Sequence, residues 1–172
     1  MDFKFNVGDT NFIALVNSNQ YKTFVDEDWD LPMIREHFVR EMKNNNILVC
    51  QMTNEGIEGD WRINVNFEEN IIDTSYFRRE EGYIKVDNNE LCFVEYTCLT
   101  MAAQFEDEKV PDKYCDKFRF NIKNGLYKVD VIQYYDIDNE KHFGRNDLDI
   151  EFKFTEVSKC EEIEPKVFWW NI

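Results

Sequence analysis

Apolar and polar residues alternate with a period of two in several stretches, the pattern of strands that bury one face. The clearest is Leu148 to Phe154, which sets Leu148, Ile150, Phe152 and Phe154 on one side and Asp149, Glu151 and Lys153 on the other. This predicts a half-buried strand with a charged outer face. Phe3-Phe5-Val7, Phe12 to Val16, Ile47 to Met52 and Trp61 to Phe67 read as further strands. Phe118 to Ile122 (FRFNI) and Leu126 to Tyr135 (LYKVDVIQYY) flank Lys123-Asn124-Gly125. Asn-Gly tolerates the positive φ of a type I′ turn, so the two segments are expected to pair as a hairpin. Tyr83 to Val86 is expected to form a second hairpin through Asn88-Asn89. Its partner, Leu91 to Phe105 (LCFVEYTCLTMAAQF), is apolar on both faces, as in a central strand or one that bends at Ala102-Ala103.

One segment departs from this pattern. Between Pro32 and Lys43 the apolar residues Ile34, Phe38, Val39 and Met42 follow helical spacing. Asp30 is available as N-cap, Pro32 suits the first turn, and Asn44-Asn45-Asn46 can end the helix. The expected fold is mainly β: an antiparallel β-sandwich of about nine strands, with one amphipathic helix over about 31–43.

Composition supports a folded chain, because 43% hydrophobic and 16% aromatic residues, among them 15 Phe, exceed what a disordered acidic segment carries. The 172 residues suit one domain, 1–172. The net charge of −15 divides evenly, −7 in residues 1–86 and −8 in 87–172, so the acid belongs to the body and not to a tail. Such a charge disfavours nucleic acid and anionic membrane, which are held by clustered Lys and Arg, and favours a basic protein partner. No signal peptide is legible at the start, and Cys50, Cys92, Cys98, Cys115 and Cys160 contain no CxxC pair. A reducing cytoplasm is the expected setting. No stretch has the length of about 20 apolar residues needed to span a bilayer.

The spacings of known chemistry are missing. His37 and His142 are 105 residues apart and read as a helix-surface and a loop histidine, so neither suggests a metal site. Cys92 and Cys98 share a face if the strand is regular, which points to core and not to a nucleophile. The acidic runs Asp26 to Asp30, Asp136 to Glu140 and Asp147 to Asp149 lack the twelve-residue calcium loop. With no GxSxG, phosphate-cradling or dinucleotide motif, the expectation is a protein that is not an enzyme and takes no cofactor.

What remains is aromatic residues set among acids. Trp29 stands within Asp26, Glu27, Asp28 and Asp30; Tyr134 and Tyr135 precede Asp136, Asp138 and Glu140; Trp169 and Trp170 follow Glu161, Glu162 and Glu164. Aromatic anchors with an acidic rim are what a surface for a basic partner would use, so Asp26, Glu27, Asp28, Trp29, Asp30, Tyr134, Tyr135, Asp136, Asp138, Glu140, Trp169 and Trp170 are the candidate partner-binding set. Trp169 and Trp170, adjacent on a strand, would face opposite ways. Two other readings stand beside this one: a sugar- or small-ligand-binding sandwich stacking its ligand on Trp29, Trp61 or Trp169, and an enzyme using a carboxylate pair that no motif reveals.

The order of short strands around Asp28-Trp29-Asp30 and its helix, followed by FRFNIKNGLYKVDVIQYYD at Phe118 to Asp136, resembles the small acidic inhibitors of bacterial competence nucleases and related toxin-immunity proteins. The resemblance implies a stoichiometric inhibitor of a toxin or nuclease made in the same bacterial cell. It assigns no individual functional residue.

Overall fold

The computed structural model describes residues 1–69 and 75–172. In chain order these form β1 (Asp2–Phe5), β2 (Phe12–Val16), α1 (Leu31–Lys43), β3 (Ile47–Gln51), β4 (Trp61–Asn66), β5 (Arg78–Val86), β6 (Glu90–Glu95), α2 (Tyr96–Gln104), β7 (Arg119–Asn121), β8 (Gly125–Gln133), β9 (Tyr135–Asp136), β10 (Lys141–His142) and β11 (Ile150–Val157). A five-stranded sheet runs β1-β4-β11-β8-β5 and a four-stranded sheet β3-β2-β6-β7, while β9 and β10 form a small hairpin. The fold is mainly β, with more strands and one more helix than the hydropathy pattern predicts.

Aromatic side chains of the two larger sheets meet in one buried cluster. Phe93 of β6 lies 4.8 Å from Phe152 of β11 and 5.6 Å from Phe3 of β1, and Phe120 of β7 lies 6.1 Å from Phe154. Helix α1 adds the buried side chains Ile34, Phe38 and Met42 to this core. Its ends follow the sequence: Asp30 accepts from the Met33 N–H at 2.8 Å, and Asn45 takes a φ of 59° just beyond the last turn.

The sheet is not purely antiparallel. β11 pairs antiparallel with β8 and parallel with β4, Ile150 lying opposite Ile63. Its central place also buries both faces, so the expected charged outer side does not exist. Asp149, Glu151 and Lys153 are buried, Asp149 against Arg62 and Glu151 against the Tyr134 hydroxyl and the Asn66 amide. Burial of a charge this deep requires a partner, and a pattern of two cannot show where that partner comes from.

Neither expected hairpin forms. β5 pairs with β8 in the larger sheet, and β6 pairs with β7 in the smaller one. The β5–β6 and β7–β8 segments therefore run side by side as one ribbon that bends from sheet to sheet, turning at residues 87–89 on one segment and 122–124 on the other. Gly125 has no positive φ and pairs with Val86, so Asn124-Gly125 is part of this bend and not a type I′ turn. Within this bend it is Asn89 that takes the left-handed conformation, with φ of 52°.

The long apolar run at Leu91 to Phe105 divides into β6 and α2. Glu95 ends the strand and caps the helix, its carboxylate accepting from the Thr97 and Cys98 N–H groups at 2.6 and 2.9 Å. Cys98, Leu99, Ala102 and Ala103 then make the buried stripe, a spacing of one, three and one residues that suits a helix. Cys92 and Cys98 thus lie on different elements, although both are buried.

Candidate partner-binding surface

The Asp26–Asp30 segment is held against the end of α2. The N–H groups of Val25 and Asp26 donate to the Ala103 carbonyl at 2.8 and 3.2 Å, and the Gln104 amide donates to the Glu27 carbonyl at 3.1 Å. The next residues after α2 are Phe105, Glu106, Asp107 and Glu108, so two acidic runs meet at one helix terminus. Among them stand Phe24, Met101, Phe105 and Tyr114, 38, 41, 42 and 60% exposed. Asp26, Glu27, Asp28, Glu106, Asp107 and Glu108 are exposed, and no ion pair to them occurs among the described residues. Trp29 is half-buried against the core, and Asp30 is engaged as the α1 cap. Beside this patch a cavity of about 890 Å³ is lined by Met101, Asp107, Glu108, Pro111, Asp112 and Tyr114.

The Tyr134–Glu140 end is used largely by the fold itself. Tyr134 is buried and donates to Glu151 at 2.9 Å. Asp136 is buried and accepts from the Asn139 amide at 2.8 Å. Asp138 clasps the loop after β3, accepting from the Thr53 hydroxyl and from the Asn54 and Glu55 N–H groups at 2.8 and 3.2 Å. Burial opposes its ionisation, but these bonds and the nearby Arg78 outweigh that and hold its carboxyl below the usual range. Tyr135 stacks on His142 at 4.4 Å, so His142 belongs to β10 and is not a loose loop residue. Glu140 and Asn139 are the exposed residues of this tip.

The C-terminal aromatics are not on a strand of their own. Phe168 makes a single parallel bridge to Cys50, and Trp169 turns the chain with φ of 60°. The Arg78 guanidinium sits 4.2 Å from the Trp169 ring centre, and that of Arg35 sits 5.5 Å from the Trp170 ring. Arg78 is half-buried, and its desolvation lowers its pKa to about 10, while Cys50, Asp138 and Asp136 oppose that shift. The structure therefore joins the C-terminal aromatics to the Tyr134–Glu140 end through Arg78. The Asp26–Asp30 segment is joined instead to residues that were not among the predicted set: Phe24, Met101, Phe105, Glu106, Asp107, Glu108 and Tyr114. Phe105 beside Glu106-Asp107-Glu108 repeats the aromatic-with-acid pattern, a signal masked in the sequence because Phe105 ends the apolar run Leu91 to Phe105.

Other expectations about chemistry change. His37 is a core residue of α1, 1% exposed, and not a surface histidine. Trp61 is fully buried, so it offers no stacking platform. The buried carboxylates Glu41, Glu95, Asp130, Asp136, Asp149 and Glu151 each face a donor, respectively the Asn46 amide, the Cys98 N–H, Arg79, Asn139, Arg62 and Tyr134.

No protein-family model and no curated protein matches the chain. Its mainly β architecture is shared with solved structures of very low sequence identity. One, described as crocagin biosynthetic gene J, aligns with a TM-score of 0.53 and 10% identity over 90% of this chain and 93% of its own. The other is ComJ of Bacillus subtilis, inhibitor of the DNA degrading activity of NucA, with a TM-score of 0.49 and 9% identity over 91% of this chain and 96% of its own.

Proposed function

We propose that this chain is a cytoplasmic immunity or inhibitor protein, a single domain whose two larger sheets stack as a sandwich. It performs no chemistry and neutralises a basic toxin or nuclease by covering the partner's active site. The observation that carries this reading is the surface at the end of α2, where Phe24, Met101, Phe105 and Tyr114 are exposed beside Asp26, Glu27, Asp28 and Glu106 to Glu108. Unpaired carboxylates around apolar anchors give both fast electrostatic encounter and a desolvated centre. Rows of carboxylates also stand in for the phosphates that a nuclease cleft is built to hold. The sugar-binding alternative is weakened, because Trp61 is buried and the Trp169 ring is covered by Arg78.

The test is a titration against a basic nuclease encoded beside this gene. DNA hydrolysis is expected to fall to zero at one inhibitor per nuclease. Reversing Glu106, Asp107 and Glu108 to Lys is expected to slow association by about 10- to 100-fold at low salt, while the same change at Glu161 and Glu162 leaves it unaltered. Undiminished hydrolysis with the chain in excess, and no complex on sizing, would overturn the proposal.

A further inference from the structure

The floor of the cavity beside α2 carries a group of donors that the docking surface does not use. The thiols of Cys98 and Cys115 and a carboxylate oxygen of Asp112 all lie within 4.8 Å of one another. Cys98 is in the first turn of α2, and Asp112 and Cys115 come from the segment that leads through a 3-10 turn at Asp116–Phe118 into β7. Cys98 and Asp112 line the cavity, and Cys115 lies behind them, fully buried. From this arrangement we infer that Cys98, Asp112 and Cys115 form a binding site for a thiophilic divalent cation of the zinc type.

Three features of the surroundings support it. The first is that the loop is already folded around the site. One oxygen of Asp112 accepts from the Tyr114 and Cys115 N–H groups at 3.0 and 2.8 Å, which leaves its second oxygen for a ligand. The Asp112 N–H points at the Cys98 sulfur at 3.4 Å, and the Cys92 thiol donates to the Cys115 carbonyl at 3.4 Å. Amide donors to sulfur and outer hydrogen bonds of this kind orient the ligands of metal thiolates. The second feature is electrostatic. Asp112 is a half-buried carboxylate beside two thiols, and no ion pair to it occurs among the described residues, although Lys109 and Lys113 line the same cavity.

The third is size. A tetrahedral zinc ion needs sulfurs about 3.8 Å apart, with zinc to sulfur bonds of about 2.3 Å. Donors already within 4.8 Å therefore need to close by no more than about 1 Å. Binding would replace the two thiol protons with the cation and release both protons. Two thiolates, one carboxylate and a doubly charged ion leave the site with one negative charge. The fourth position faces the cavity, where water or a donor from a docked protein completes it. No CxxC spacing marks this set, because its members lie 14 and 3 residues apart on different elements.

The test uses the full chain, reduced, treated with chelator and desalted, then titrated with cobalt and with zinc. One equivalent per chain is expected, with release of two protons and the thiolate charge-transfer band of a tetrahedral cobalt site. Cys98→Ser and Cys115→Ser each abolish uptake. Asp112→Asn weakens it at least about tenfold, the scale on which even outer-shell partners alter metal affinity. Cys160→Ser, at the exposed cysteine, leaves it unchanged. Circular dichroism checks that each variant folds, and if one does not, the cobalt spectrum of the unaltered chain still counts its thiolate ligands. Absence of uptake by the reduced chain, a spectrum without thiolate, or full uptake by Cys98→Ser would overturn the inference. It does not depend on the proposed inhibitor role, because the metal titration needs no partner.

Discussion

The backbone N–H of Asn89 donates to the Asn124 side-chain oxygen at 2.6 Å, and the Asn124 N–H donates back to the Asn89 side chain at 3.3 Å. This clasp sits where the β5–β8 ribbon leaves one sheet and continues as β6–β7 in the other. Ala at Asn124 is expected to cost about 1 kcal/mol, the net value of one such bond. Ala at Asn89 should cost about 2 kcal/mol, because a residue with a Cβ and no local hydrogen bond is strained at positive φ. Gly at Asn89 should recover the part due to strain. In urea denaturation the double alanine variant should be less destabilised than the sum of the two, by about 0.5–1 kcal/mol.

The same corner explains what the sequence could and could not reveal. The periodic segments are strands, and the 31–43 helix has the predicted ends, because local alternation and capping chemistry act within a few residues. Which strands pair is decided over longer distances. Asn124-Gly125 and Asn88-Asn89 each look like a hairpin turn, but the two turns satisfy each other across 35 residues. Likewise, Asp149 looks solvent-facing until Arg62, 87 residues away, is placed against it. The candidate site was legible as a composition of aromatics and acids. Its location was not, because it depends on α2 starting at Tyr96, and an apolar run fits a buried strand as well as a buried helix.

Asp149 is buried, while Arg62 is partly exposed; their side chains are 5% and 44% accessible. Removing the arginine therefore strands a buried charge, whereas removing the aspartate leaves a guanidinium that water can reach. Arg62→Ala is expected to cost about 3 kcal/mol and Asp149→Asn less. Burial raises the Asp149 pKa, but the bonds from Arg62 and His142 outweigh it, so the net shift is downward. A depressed folded-state value gives stability that is complete above the unfolded pKa of about 3.9 and is lost as pH falls below it. Denaturation midpoints measured from pH 6 to pH 3 should thus fall less steeply for Asp149→Asn than for the unaltered chain.

His37 offers a separate pH signature. Its Nδ1 faces the Arg40 guanidinium at 2.9 Å, which can only donate, so Nε2 carries the proton of a ring that is buried. Burial first, and Arg40 second, lower its pKa. The unfolded chain takes up a proton below about pH 6.5 while the folded chain resists it, so stability declines as pH falls from 6.5 toward the folded value. His37→Leu should remove this slope between pH 7 and pH 5 at little cost in stability at pH 7. An unchanged slope in that variant would assign the effect to another group.

Gly8 and Glu95 together control the start of α2. Gly8 has φ of +57°, and a Cβ there would lie 2.3 Å from the Glu95 carboxyl carbon. That carboxylate accepts from the N–H groups of Asp9, Thr97 and Cys98, and burial raises its pKa despite these bonds. Gly8→Ala must strain the backbone and also displace the cap, for a combined loss of about 2–3 kcal/mol. Glu95→Gln keeps one accepting oxygen and sheds the buried charge, so it should cost less than Glu95→Ala, which removes the cap for about 1–2 kcal/mol. Because the cap holds the Cys98 N–H, its loss should also raise the hydrogen-exchange rate of the Thr97 and Cys98 amides and the alkylation rate of the Cys98 thiol. If Gly8→Ala unfolds at the same urea concentration as the unaltered chain, with Cys98 equally protected, then the Glu95 cap is not what holds the first turn of α2.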